Sequence, residues 1–360
     1  MCKTHRGWLK VSYTPLPKEE SFLKQLLKKL SEAYGPSGRE EQVGRMIRDE
    51  LKDYVDEIYT DNTGNLYAVK KGTGAKIMVA AHMDEIGVIV TFVEEKGFLR
   101  FSNVGGVNPH ILLGQRMIFA NGTVGTIGME KLDDIKKLTL EKLYIDIGAK
   151  DREEAVTKVK VGDIATYHRE VAEAGNRVIG KAMDNRAGCT VLIKAMQELT
   201  KTDNEIYAVF TVQEEVGLRG SRTASYRLNP DLGFAVDVTL VGDTPEAPTM
   251  DVSLGKGPTV KVKDASVICH PKVKEMLESL AEKENIPYQL EVLIAGGTDA
   301  GAIHLSREGI PSGVISVPCR YVHTPGEMVD LDDMANAVRL LTLFLSQPLN
   351  MQEIFPCYLS

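Results

Sequence analysis

Strand-like and helix-like stretches alternate along this chain, with one long interruption. Residues 77–81 (Ile-Met-Val-Ala-Ala), 206–212, 233–238, 288–293 and 312–317 are short runs rich in apolar and β-branched side chains, the texture of buried strands. Residues 18–34, 187–199, 271–284 and 334–345 instead space their apolar side chains at helical period, and in the first of these Phe22, Leu23, Leu26, Leu27 and Leu30 form one stripe. Alternation of this kind predicts an α/β fold, a mixed sheet flanked by helices. Residues 87–167 break the rhythm with short β-rich runs between Gly and Asn turns, and few helices are expected there. The simplest architecture is one α/β domain built from residues 1–86 and 174–360, interrupted by an inserted β-rich domain over 87–173. Near its start, Ser37 with Glu40 reads as a capping box for a helix carrying Val43, Met46, Ile47 and Leu51.

Composition excludes several functions. With 43 basic against 50 acidic side chains and no Lys/Arg block, the chain has no electrostatic footprint for nucleic acid or for a polybasic membrane surface. No stretch approaches the roughly 18 apolar residues of a membrane span. Cys2, Cys189, Cys269, Cys319 and Cys357 are odd in number and scattered. They predict neither a disulfide framework nor a cysteine-zinc site, and a cytoplasmic protein is expected.

The chemistry-bearing residues fall at the ends of the apolar runs, where open α/β sheets place their sites. His82-Met83-Asp84-Glu85 follows residues 77–81, Glu214-Glu215 follows 206–212, and Asp237 lies inside Ala-Val-Asp-Val. Asp184 stands in Ala-Met-Asp-Asn-Arg-Ala-Gly, and His323 in Arg-Tyr-Val-His-Thr-Pro. One such histidine is ordinarily structural. Five titratable groups set against Ala, Val and Ile are costly unless paired or bound to a cation. Two imidazoles and three carboxylates without sulfur favour Zn, Co or Mn. Five ligands exceed one tetrahedral ion and suit two ions bridged by a carboxylate, a centre for hydrolysis by an activated water. Adjacent side chains on extended backbone point to opposite sides, so one of Glu214 and Glu215 is expected to ligate while the other serves as general base.

The ordered set His82-x-Asp84-Glu85, Asp184-Asn185-Arg186-x-Gly188, Glu214-Glu215-x-Gly217, Asp237 and His323-x-Pro325 resembles the M42 family of dinuclear metallo-aminopeptidases, which includes TET and deblocking aminopeptidases and members labelled endoglucanases. The similarity runs from about residue 21 to residue 345 and extends to Gly105-Gly106 and to Gly297-Thr298-Asp299. It implies that Asp184 bridges two divalent ions, that His82 and Asp237 complete one site, and that Glu215 and His323 complete the other. Glu214 would be the general base, and Asp84 would hold the far nitrogen of the His82 ring. The resemblance also implies that the β-rich insert is a dimerisation domain, that dimers assemble into a dodecamer, and that short peptides are the substrate. Gly297, Thr298 and Asp299 would either hold the peptide through backbone groups or cap the following helix. Cys189 is read as packing. A glycoside hydrolase using paired carboxylates, or an assembly whose metals only hold the fold, are the competing expectations. Residues 1–20 carry no functional reading.

Overall fold

A computed structural model describes residues 17–247 and 249–351. Cys2, Cys357 and most of the first twenty positions lie outside the described residues. The chain opens with α1 (Pro17–Glu32) and α2 (Glu41–Leu51), then β1 (Glu57–Thr60), β2 (Leu66–Lys70) and β3 (Lys76–His82). It then leaves for a separate body made of β4 (Gly87–Val93), β5 (Leu99–Val104), α3 (Pro109–Leu112), β6 (Arg116–Phe119), β7 (Val124–Met129), β8 (Leu143–Asp146), α4 (Arg152–Lys158) and β9 (Ile164–Tyr167). These six strands close into a barrel in the order β4-β5-β8-β7-β6-β9 around its own core of Val88, Leu99, Met117, Ile127, Leu143 and Ile145.

The chain returns through β10 (Ala172–Ala174), β11 (Arg177–Gly180), α5 (Met183–Glu198), β12 (Glu205–Thr211), α6 (Arg219–Leu228) and β13 (Leu232–Thr239). It ends with β14 (Thr259–Lys263), α7 (Pro271–Lys283), β15 (Gln289–Val292), α8 (Ala300–Ile303), β16 (Ser312–Arg320), β17 (Glu327–Asp330) and α9 (Leu331–Ser346). The main sheet runs β1-β2-β12-β3-β13-β16-β17-β11-β10, with β14 and β15 branching from β16. β12, β3, β13 and β16 are mutually parallel, and all eight residues of β13 are buried. Parallel strands covered on both faces must be apolar throughout, which is what the uninterrupted runs encode. Helix α5 packs Val191, Leu192 and Met196 into the same core as Ile77 and Val79 of β3 and Leu340, Leu341 and Phe344 of α9.

The mixed α/β architecture with a closed β-barrel matches expectation, and the barrel strands begin at Gly87 and end at Tyr167. β10 already pairs with β11 of the main sheet. The insert's α-helices are few and short, α3 and α4, as expected. One detail differs. The capping box at Ser37 does not form: Glu40 is the N-cap of α2 and its side chain makes no cap bond. Ser37 Oγ donates to Asp84 Oδ2 at 2.6 Å, and Glu40 Oε1 accepts from Gly38 N and from Gln213 N at 2.7 and 3.1 Å. Both side chains turn inward because buried acceptors and donors near the sheet end need them more than a solvated helix start does.

Candidate metal centre

Register brings the site together. Thr211 at the end of β12 lies opposite His82 at the end of β3, while Asp237 lies near the end of β13, the parallel neighbour on the other side. Asp184 enters from the first turn of α5, where Asn185 Nδ2 donates to Val236 O at 2.8 Å and pins that turn against β13. His323 follows β16 in left-handed backbone, φ 64°.

Asp184 joins the two imidazoles, with Oδ1 3.0 Å from His82 Nε2 and Oδ2 3.4 Å from His323 Nε2. Asp237 Oδ1 lies 3.6 Å from His82 Nε2, and Glu215 Oε2 lies 3.2 Å from His323 Nε2. Glu214 Oε2 stands 3.9 Å from His82 Nε2. Two groups, His82–Asp184–Glu215 and His82–Glu214–Asp237, keep their donor atoms within 4.8 Å of one another, the spacing a cation needs. Glu214 and Glu215 line the same cavity and do not point to opposite sides. The expectation from extended backbone fails because Gln213 is left-handed, φ 55°, and Glu214 O accepts from Gly217 N in a turn.

The electrostatics favour bound positive charge. Four carboxylates meet here, and their ion-pair partners are the two imidazoles. Burial lifts Glu214 well above the ordinary carboxylate range, with Asp237 and Glu215 adding to it against His82. Burial and Asp184 push Glu215 up to about 7, and burial lifts Asp237 to about 6. Burial opposes charge on Asp184 as well, yet hydrogen bonds from His323 and His82 hold it below the usual range. Burial works against charge on His323, but Asp184 and Glu215 carry it up to about 11. Glu215 Oε1 is buried with no hydrogen-bond partner. Oxygen and imidazole donors, surplus negative charge and an orphaned carboxylate oxygen together suit a bound metal cation.

Asp84 lies behind this layer, fully buried. Its carbonyl oxygen is 3.2 Å from His82 Nδ1, and its carboxylate Oδ1 is 3.5 Å from the same atom. The carboxylate is occupied elsewhere: it accepts from Glu214 N at 2.9 Å, Glu215 N at 3.1 Å and the Ser37 hydroxyl. Asp84 thus fixes the backbone that presents both glutamates as well as the ring of His82. Of the loop at 296–299, Gly297 lines the cavity, while Thr298 and Asp299 are buried and Asp299 Oδ2 accepts from Thr211 Oγ1 at 2.5 Å. Asp299 makes no side-chain cap on α8. Cys189 is buried, its thiol is pushed up to about 12 by burial, and it donates to His82 O, a packing role.

The cavity encloses about 360 Å³. Beside the acidic and imidazole groups, Lys261 and Thr239, its lining is apolar, with Val238, Leu240, Leu293, Ala295 and Val322. Sequence reading missed Glu327, which accepts from the backbone N–H groups of Asp184 and His323, and gave no role to Glu85, whose carboxylate binds Lys181 at 2.7 Å. Glu327 had a signal of the kind that marked Asp237, a carboxylate opening the apolar run Met-Val.

Residues 64–340 match a family model described as M42 glutamyl aminopeptidase. A putative aminopeptidase of Acetivibrio thermocellus is 58% identical over 324 residues, covering 90% of this chain and 98% of that one. Among solved structures, aminopeptidase APDkam598 from the archaeon Desulfurococcus kamchatkensis superposes with a TM-score of 0.91 at 42% identity, covering 95% of this chain and 100% of that one. The Pyrococcus horikoshii TET1 peptidase, described as assembling into a tetrahedron or a large octahedral shell, gives 0.83 at 33% identity, covering 90% and 99%. A family match over most of the chain, relatives aligned nearly end to end and a cluster of buried carboxylates and imidazoles at the sheet's carboxyl edge agree: the chain is a peptide hydrolase and belongs to the M42 glutamyl aminopeptidase family.

Proposed function

We propose that the protein removes N-terminal residues from short peptides at a centre of two divalent ions, Zn, Co or Mn, with Glu214 as general base. The observation that carries this is the pairing of a carboxylate bridge, Asp184 between His82 and His323, with an unbridged buried glutamate 3.9 Å from His82. Asp184 would be shared between the ions, His82 and Asp237 would hold one, and Glu215 and His323 the other. When bound, the ions supply Lewis acidity to the scissile carbonyl and to the attacking water. Glu214 takes the proton of that water on its carboxylate and returns it to the nitrogen of the departing amine. Asp84 keeps Glu214 and Glu215 in place by their amides. The buried, unpaired thiols of Cys189, Cys269 and Cys319 support a reducing compartment, the cytoplasm.

The test compares native, chelated and Glu214→Gln protein on aminoacyl-p-nitroanilides. Glu214→Gln is expected to lose kcat by roughly 10²–10⁴-fold while retaining its ions, and chelation is expected to abolish turnover until a divalent ion is restored. Full activity in either preparation refutes the proposal.

A further inference from the structure

Glu327 is the first residue of β17, held opposite Gly180 in the β11–β17 ladder and 2% exposed. Its two carboxylate oxygens are divided: Oε1 accepts from His323 N at 2.8 Å and Oε2 accepts from Asp184 N at 3.1 Å. These donors belong to the two residues whose side chains meet at 3.4 Å across the cluster, and they come from distant parts of the chain. His323 is also left-handed without being glycine, a strained conformation that its surroundings must hold in place. Asp84 does the same for the other half of the cluster, accepting from the amides of Glu214 and Glu215. The two buried carboxylates together grip four of the six cluster residues by their backbones.

The surroundings of Glu327 make a merely structural role expensive. Among the described residues no lysine or arginine forms an ion pair with it: Lys181, paired with Glu85, acts on it only through space, and the Asp184 carboxylate is near enough to repel it. A buried carboxylate with no direct basic contact is costly, and a cation held by Asp184 and His323 would offset part of that cost.

We propose that Glu327 is a positioning residue of the cation centre: it sets the separation of Asp184 and His323 and so the affinity of the ion those residues share with Glu215. The proposal rests on the reading of the cluster as a two-ion centre. The full chain is stripped with chelator and titrated with Co²⁺, with bound metal measured by equilibrium dialysis and the visible absorption of the complex recorded. Melting of the stripped protein serves as the fold control. Wild type is expected to take up two ions. Glu327→Gln keeps one acceptor oxygen and turns an NH₂ toward the other amide. It is expected to hold one ion normally and the second roughly 10–100-fold more weakly, with an altered spectrum and an unchanged melting temperature of the stripped protein. Glu327→Asp, which retains both acceptor oxygens on a shorter stem, is expected to recover part of that loss. Wild-type affinity for both ions in Glu327→Gln overturns the proposal. So does loss of both ions together with a lower melting temperature of the stripped protein, since that marks a general structural role. A wild type that binds no Co²⁺ removes the two-ion reading itself and the positioning role with it.

Discussion

Gly106 is fixed by what stands next to it. A Cβ added there would lie 2.6 Å from Nδ1 of His323, closer than such atoms approach in proteins. Gly105, with φ 74°, is also confined: a Cβ there would lie 2.8 Å from Cγ2 of Ile86 and 3.2 Å from Cβ of Glu215. Both lie just past the end of β5, so a strand of the barrel supplies the wall against which two cluster residues rest. Gly106→Ala must shift the His323 ring. It is expected to lower kcat/KM on aminoacyl-p-nitroanilides by at least about 10-fold, because displacements near 1 Å at a reacting centre cost up to 10²-fold, while secondary structure measured by circular dichroism stays native. Wild-type kinetics in that variant contradict the close contact. The sequence showed Gly105-Gly106 as part of a family pattern. It could not show why, because the constraint is a ring more than two hundred positions away.

Among the elements, the joint between the main sheet and the barrel is the most heavily tied. Glu85, between β3 and β4, receives Lys181 Nζ on both oxygens at 2.7 Å, the Thr166 hydroxyl of β9 at 2.6 Å and Gly35 N at 3.1 Å. Lys181 also donates to Ala33 O just past α1, and Arg186 of α5 donates to Leu30 O and Gly35 O. One buried cluster thus fastens α1, α5, the start of the barrel and its last strand. Lys181→Met leaves the Glu85 charge buried with Arg186 at 3.6 Å as its remaining basic partner. It is expected to destabilise the fold by about 3–5 kcal/mol in urea unfolding; a change below about 1 kcal/mol contradicts the assignment. Sequence periodicity found β3, β12, β13 and β16 and the helices α1, α5, α7 and α9, since each is long or wholly apolar. It did not find β10, β11, β14, β17 or α6. β10 has all three residues exposed, and β11 and β17, though half or more of their residues are buried, are four residues long, too short for a period to stand out.

For the whole molecule, the barrel leaves Phe92, Ile135 and Val161 exposed, the last at 61%. Apolar side chains of this size on a separate body mark a candidate interface between copies of the chain. Light scattering after gel filtration is expected to give a multiple of the 39.6 kDa chain mass, with Val161→Glu shifting it to smaller species. A monomeric wild type rejects this.

Residue order alone was enough for the alternation of strands and helices, for the β-rich interruption, and for the five residues proposed as ligands. Burial leaves a linear trace: a strand covered on both faces is apolar throughout, and a carboxylate or imidazole inside such a run stands out. Only the folded chain decided which carboxylate accepts from which amide. Ser37 and Glu40 turned from a helix cap to the site, Glu214 and Glu215 came to the same side, and Glu327 took hold of Asp184 and His323. These are contacts between segments far apart in the chain. Their partners are chosen by which donors the register and the turns leave unsatisfied, and that choice exists only once the strands are aligned.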